Sequence, residues 1–369
     1  MTKNYHNIAV IPGDLNGITV TNAALELSKA VSGKLSKPIT HVSFPFNADY
    51  FLERNITELG EDELNILREH DQIFLGAVGN PNKIKPGVLE IGILLKVRQA
   101  FDQYVNLRPV ILPEGVPSVL VGKTPLDLNF EILRENSEGL YANLGHVENK
   151  GTDNEVAYQT MKCSYKGVKR LMEYAVQRAV ERKKGDKPTI HIVFKNNVLT
   201  YAASPWQRVF EEYSKRDDIT VKYMHVDNFG MQMLLNPKQF DVVITENMFG
   251  DIMTDIGAVL QGGIGTAVSG NINPTGEFPS MFEPVHGTAP DKWYGKDGKY
   301  NPDLVQLMRP EAAFLSYAMM LESMGEKSAA DWMKTAALQN MRDPSYGELK
   351  LDELVRRACN FVREERVIK

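Results

Sequence analysis

Asp251 and Asp255 stand four residues apart in the stretch Thr245-Glu-Asn-Met-Phe-Gly-Asp-Ile-Met-Thr-Asp255. On a helix that spacing puts both carboxylates on one face. Two like charges there repel unless a cation lies between them. Carboxylates and a few waters suit a hard divalent ion, Mg²⁺ or Mn²⁺. The plainer reading is a solvated acidic helix start that complements the helix dipole. Lys195 and Asp227 sharpen the choice. Lys195 follows the apolar run Thr189-Ile-His-Ile-Val-Phe194, and Asp227 follows Thr220-Val-Lys-Tyr-Met-His-Val226. A lysine and three aspartates thus lie beyond the ends of successive strand-like segments. Ligands bind at that edge of open α/β sheets, and core packing does not require a charge there. Arg108 sits in the apolar stretch 105–112, where a guanidinium needs an anionic partner. Arg98 lies near a helix end, where a cation is favourable without any ligand.

These residues need an α/β frame. Residues 8–11 read as a buried strand, followed by the turn Pro12-Gly-Asp-Leu-Asn-Gly17 and a helix over about 20–31. The turn lacks GxGxxG, so it is not a Rossmann fingerprint. A second strand, 72–75, runs into Gly76-Ala-Val-Gly-Asn-Pro81, and 88–101 is helical by pattern. Residues 143–154 form a loop or exposed hairpin, suited to be a dimer arm. A long helix covers 164–184, 269–279 is a Gly/Asn/Pro loop, and three amphipathic helices follow 310. In Phe282-Glu-Pro-Val-His-Gly-Thr-Ala-Pro-Asp291, backbone amides suit a phosphate. His191 is expected as a satisfied sheet residue, and Cys163 and Cys359 as ordinary helix-face residues.

The chain has 369 residues, enough for two lobes, with 43% hydrophobic and 24% charged residues. A net charge of −5 gives no reason to expect nucleic acid or an anionic membrane as partner. Two cysteines without a CxxC suggest neither a disulfide framework nor a thiolate zinc site. No secretory h-region or membrane-spanning run is recognised, so a cytoplasmic location is the expectation.

The blocks Asn247-Met-Phe-Gly-Asp-Ile-Met-Thr-Asp255, residues 282–291, and Arg98…Asn106-Leu-Arg108…Arg134-Glu-Asn-Ser-Glu-Gly-Leu-Tyr141 together resemble the β-decarboxylating dehydrogenases. That family includes isocitrate, 3-isopropylmalate, homoisocitrate, D-malate and tartrate dehydrogenases. The resemblance implies a two-domain α/β fold with an open mixed sheet flanked by helices. Residues 1–104 and 262–369 would form the large cofactor-binding domain. Residues 105–261 would form the substrate, metal and dimerisation domain, with an arm near 142–160. It implies a homodimer with shared active sites. Arg98, Arg108 and Arg134 would hold the carboxylates of a malate-type 2-hydroxy acid. Asp251 and Asp255 of one subunit and Asp227 of the other would hold the metal. Lys195, also from the partner, would help remove the hydroxyl proton, and Tyr141 would protonate the enolate left after CO₂ departs.

For the cofactor, the resemblance points to the loop His286, Gly287, Thr288 and Ala289, with Asn301 at the adenine. Asp291 stands where NAD-dependent members carry an acid that accepts from a ribose hydroxyl and would repel a 2′-phosphate, so NAD is favoured. Ile91, Leu94 and Leu95, with Gly92, occupy the helix that reads the substituent on C3. They offer no partner for a third carboxylate, so isocitrate is disfavoured. The stretch 94–109 is most similar to the D-malate/tartrate branch, and a substrate of that type is the expectation. Ile91 replaces a bulky aromatic of that branch, a change that admits an alkyl group, as in 3-isopropylmalate. The altered turn Gly13-Asp-Leu-Asn-Gly-Ile-Thr19, against the usual Gly-Asp-Gly-Ile-Gly-Pro-Glu, suits a specialised-pathway homologue. A noncatalytic regulatory or binding subunit is the alternative from another class.

Overall fold

The computed structural model describes residues 4–364. In chain order its strands are β1 (His6–Gly13), β2 (Ile39–Ser43), β3 (Gln72–Ala77), β4 (Val105–Ile111), β5 (Asn129–Glu135), β6 (Gly139–Glu148), β7 (Val156–Lys162), β8 (Thr189–Phe194), β9 (Thr220–His225), β10 (Val242–Thr245), β11 (Val268–Ile272) and β12 (Ser280–Pro284). The chain divides into two compact units. One holds the chain up to Phe101, Gly115–Pro117 and the chain from Gly262 onward; the other holds Asp102–Glu114 and Ser118–Gln261.

The first unit is built on strands in the order β2-β1-β3-β12-β11, all parallel except the β11–β12 pair. Ile8, Ala9, Val10 and Ile11 are all fully buried, as expected for a strand covered on both faces. Ala9 and Ile11 join Phe46, Phe51, Leu64, Ile93, Val97 and Phe101 in one core. On the other side Phe74 meets Tyr317 edge-on, in the helix Glu311–Ser323. That helix is buried almost throughout, from Glu311 to Leu321, so it is a central helix rather than an amphipathic one.

The second unit has the order β4-β5-β10-β8-β9, with β4 antiparallel to β5 and the other pairs parallel. Among the described residues, strands β6 and β7 pair only with each other, as an exposed antiparallel hairpin. Its bend, residues 149–155, carries the Asn- and Gly-rich segment.

Several local expectations change. The helix after β1 starts at Asn16, not near 20, because the glycine turn is itself compact. The helical pattern of 88–101 contains a π-helical turn, Glu90–Leu95, before Lys96–Ala100. Gly92 lies there: a Cβ would sit 2.3 Å from the Thr57 carbonyl oxygen. Residues 268–272 are a strand rather than loop, since Asn271 is buried and anchored on Glu283. Cys163 precedes the cap Ser164 and is not on a helix face, whereas Cys359 is a buried helix residue. His191 is fully buried on β8, edge-on to Phe240, and neither ring nitrogen has a hydrogen-bond partner among the described residues. It is a packed sheet residue, but not a satisfied one.

Candidate active site and cofactor pocket

In the second unit, β10 ends at Thr245 and the helix Asn247–Leu260 begins at once. Glu246 caps it, accepting hydrogen bonds from the amides of Met248 (3.0 Å) and Phe249 (2.6 Å). The helix packs on β4 and β5, and a glycine makes room for what lies beneath. A Cβ at Gly250 would fall 2.7 Å from both Cβ and Cγ of Arg134.

Arg134, on β5, is 2% exposed. Its Nε donates to Asn247 Oδ1 (2.7 Å), and its Nη1 donates to an Asp251 carboxylate oxygen. Asn247 is held in turn by donating to the Glu138 carbonyl (3.1 Å). The Tyr141 hydroxyl donates to the other Asp251 oxygen (2.8 Å), and the Arg134 guanidinium lies 5.1 Å from the Tyr141 ring centre. Arg108 is on the neighbouring strand β4, with its Nε on Asn106 Oδ1 (3.0 Å), and Asn106 pairs with Arg134 in the strand register. Burial alone would raise the Asp251 carboxyl; Arg134, the Tyr141 hydroxyl and Arg108 together hold it below the usual carboxylate range. Asp255, one turn on, is shifted up by partial burial and by Asp251, against the pull of Arg108 and Arg134. Arg108, Arg134, Tyr141, Asp251 and Asp255 therefore form one electrostatic cluster.

Lys195 and Asp227 make a separate pair. Lys195 Nζ donates to Asp227 Oδ1 (2.8 Å), and Asp227 opens the helix Val226–Leu235 with its side chain 62% exposed. The lysine's hydrogen bond is the main reason the Asp227 carboxyl lies below its ordinary value. Among the described residues, no three His, Cys, Asp or Glu side chains of the chain gather in a metal-holding group. Asp251 and Asp255 remain a fitting donor pair: hard oxygens of like charge, close enough to perturb each other.

In the first unit, Arg98 is buried and donates to Glu283 Oε1 (3.1 Å) on β12. Glu283 also accepts from Asn271 Nδ2 (2.9 Å) and Ser269 Oγ (3.3 Å). Ile91 is 56% exposed on the π-helical turn, and Leu94 and Leu95 are half-buried. The loop after β12 lines a cavity of about 670 Å³, with His286 and Ala289 beside Asn16, Lys292, Arg309 and Arg342. Thr288 is buried, its carbonyl accepting from the Asn16 amide (3.2 Å), and Ala289 is held in the left-handed region at φ 44°. Gly287 and Asp291 are exposed. Asn301 caps the short helix Pro302–Val305, its Oδ1 accepting from the amides of Asp303 and Leu304. Burial pushes the His286 imidazole down, towards its neutral form. Two buried polar atoms at this cavity, Asn16 Oδ1 and His286 Nε2, have no hydrogen-bond partner among the described residues. A cavity with cations on its wall and unpaired polar atoms fits an anionic, hydrogen-bonding ligand such as a dinucleotide.

Sequence reasoning did not assign Glu246, Asn247, Gly250, Glu283 or Asn16. Asn247, Gly250 and Glu283 lie inside the motifs that carried the resemblance, Glu246 directly precedes one of them, and the altered turn holds Asn16.

Comparison with known proteins agrees with this picture. The profile of the family described as isocitrate/isopropylmalate dehydrogenase matches residues 7–359. The 3-isopropylmalate dehydrogenase of Corynebacterium kroppenstedtii is 42% identical, covering 96% of this chain and 98% of its own length. That of Thermobifida fusca is 42% identical, covering 93% of each. The crystal structure of isocitrate dehydrogenase from Methylococcus capsulatus superposes with a TM-score of 0.81 at 28% identity, over 97% of this chain and 99% of that one. The crystal structure of the TT0538 protein from Thermus thermophilus gives a TM-score of 0.82 at 27% identity, over 100% of this chain and 70% of that one.

Fold and relatives define an NAD-dependent decarboxylating dehydrogenase. The chain belongs to the isocitrate/isopropylmalate dehydrogenase family. Enzymes of this family generally act on small hydroxy acids and generally depend on NAD and a divalent metal ion. The expectation of a D-malate/tartrate substrate is overturned: relatives about 40% identical over nearly the whole chain are 3-isopropylmalate dehydrogenases. The stretch 94–109, on which that expectation rested, spans Arg98 and Arg108. The dehydrogenase relatives likewise displace the noncatalytic-subunit alternative. No helix of the described residues is long and apolar enough to cross a membrane.

Proposed function

We propose that this chain oxidises and decarboxylates 3-isopropylmalate, with NAD as hydride acceptor and Mg²⁺ or Mn²⁺ as the divalent ion. The identity of its relatives over nearly their whole length carries this reading. The apolar set Ile91, Leu94 and Leu95 supports it, because an isopropyl group needs a surface without polar demands. Arg98, Arg108 and Arg134 hold the substrate carboxylates, as planar forked donors suit. Asp251 and Asp255, with Asp227 of a partner subunit, hold the divalent ion, which when bound supplies Lewis-acid stabilisation of charge on the substrate oxygen. Lys195 helps remove the hydroxyl proton. Tyr141 delivers a proton to carbon after the 3-carboxylate has left as CO₂; its hydroxyl is poised by Asp251 (2.8 Å). His286, Gly287, Thr288 and Ala289 line the cofactor, with Asn301 at the adenine and Asp291 favouring NAD over NADP. NAD bound there would supply the hydride acceptor for the oxidation.

The functional unit is a homodimer. The β6–β7 hairpin supports this, since Leu144, Val147, Val156 and Tyr158 are exposed on it, an unusual amount of apolar surface for a free hairpin. The test is stoichiometry. Each 3-isopropylmalate consumed should give one NADH, one CO₂ and one 4-methyl-2-oxopentanoate, and chelation of divalent ions should stop all three. NADH without CO₂, or turnover indifferent to chelation, would refute the reading.

A further inference from the structure

Asn16 opens the helix Asn16–Ala30 and is 6% exposed. Its backbone N–H donates to the Thr288 carbonyl (3.2 Å), and its Nδ2 lies 3.4 Å from His286 Nδ1. These contacts fix the carboxamide against the loop after β12. Its Oδ1 is buried yet has no hydrogen-bond partner among the described residues, and the same holds for His286 Nε2. Both residues line the cavity of about 670 Å³. A buried carboxamide oxygen left without a donor is costly, because it has given up its hydrogen bonds to water. In a cavity of this size, the occupant is the natural source of that donor.

The chain goes to some length to hold Asn16 there. Leu15, just before it, sits at φ 49°, ψ −118°, a region that disfavours any side chain. The neighbouring glycines lock the turn in place. A Cβ at Gly13 would lie 2.0 Å from the Ala77 carbonyl oxygen, and one at Gly17 would lie 2.4 Å from the Ala77 nitrogen. The Asp14 carboxylate ties the same turn to the amides of Ala48 (3.1 Å) and Gly79 (3.0 Å). A polar residue thus stands at a site fixed from several sides.

We infer that Asn16 is a cofactor-binding residue. Its Oδ1 accepts a hydrogen bond from an N–H or O–H group of the dinucleotide in the cavity, and His286 anchors the carboxamide. This inference rests on the proposed use of NAD and adds a specific contact to it.

Calorimetric titration of the full-length protein tests it, comparing wild type with Asn16→Ala and Asn16→Ile. NAD and ADP-ribose are the probes, and unfolding midpoints report that each variant is folded. Both variants should bind NAD about tenfold more weakly, the loss of one buried hydrogen bond, with midpoints no lower than that of wild type. An equal loss for ADP-ribose supports a donor on the ADP-ribose part of NAD, which is the whole cofactor without its nicotinamide. A loss confined to NAD supports a donor at the nicotinamide end. Folded variants that bind NAD within about twofold of wild type would overturn the assignment. A wild type that binds no NAD would instead overturn the functional reading, and this inference with it.

Discussion

Asp251 is the most contested residue of the site. One oxygen accepts from Arg134 and the other from the Tyr141 hydroxyl, while Asp255 stands one turn away with its carboxyl shifted up. The carboxylate therefore organises both the guanidinium and the phenol, besides its proposed part in holding a divalent ion. Tyr141→Phe removes the hydroxyl and keeps the ring beneath Arg134. We expect kcat to fall by about 10²–10⁴-fold, the range for a positioned proton donor, with KM for the acid changed little. Steady-state kinetics checks the split; an unchanged kcat would remove Tyr141 from the chemistry. These residues were legible in the sequence because their types are chemically demanding and their motifs contiguous. Asn247 was not, since its work is to bridge Arg134 and the Glu138 carbonyl, and no spacing rule shows a second partner 113 residues away. The Glu283 partner of Arg98 was hidden for the same reason.

At the scale of elements, the helix Asn247–Leu260 reaches β5 only because position 250 has no side chain. Gly250→Ala should destabilise the fold by about 1–3 kcal/mol, as overpacking does, and displace Arg134, raising KM for the acid. Urea unfolding and kinetics together check this; a variant with normal stability and KM would mean that the helix can shift without cost. Strand β8 carries a second test. Burial, with Lys222 as a smaller influence, holds His191 down at about 4. The unfolded chain, with an ordinary histidine near 6.5, binds that proton more readily across the window from 6.5 to 4. The neutral ring therefore carries no penalty above 6.5, and stability drains away as pH falls through the window. Between about pH 7 and pH 5 the loss is on the order of 1–2 kcal/mol. Urea titrations at the two pH values should show it, and His191→Leu should remove that portion. The main strands were legible from apolar runs, since parallel strands buried on both faces leave that signature. The π-helical turn at Glu90–Leu95 was not, because its apolar pattern resembles that of an ordinary helix. Strand β11 was not, because Gly270 and Asn271 look like loop until Glu283 is placed beside them.

At the scale of the whole molecule, two copies are proposed to build each site, with Lys195 and Asp227 acting in the partner. Complementation tests this. Lys195→Met and Tyr141→Phe homodimers should each be nearly inactive. After co-refolding, half of the dimers would be mixed, each with one intact site of two, so about a quarter of wild-type activity should return. No recovery in mixtures shown to contain hybrid dimers would place all the groups of a site in one chain. Substrate identity is the property least legible in the sequence, because the proposed contact with the C3 substituent rests on a few apolar side chains, and apolar residues carry no distinctive chemistry in a sequence. The most direct measurement is therefore the ratio of kcat/KM for 3-isopropylmalate to that for D-malate, with NAD and Mn²⁺. Burying an isopropyl group against Ile91, Leu94 and Leu95 is worth roughly 1.5–3 kcal/mol, so 3-isopropylmalate should be favoured by at least about tenfold. A ratio near one, or a preference for D-malate, would contradict the account.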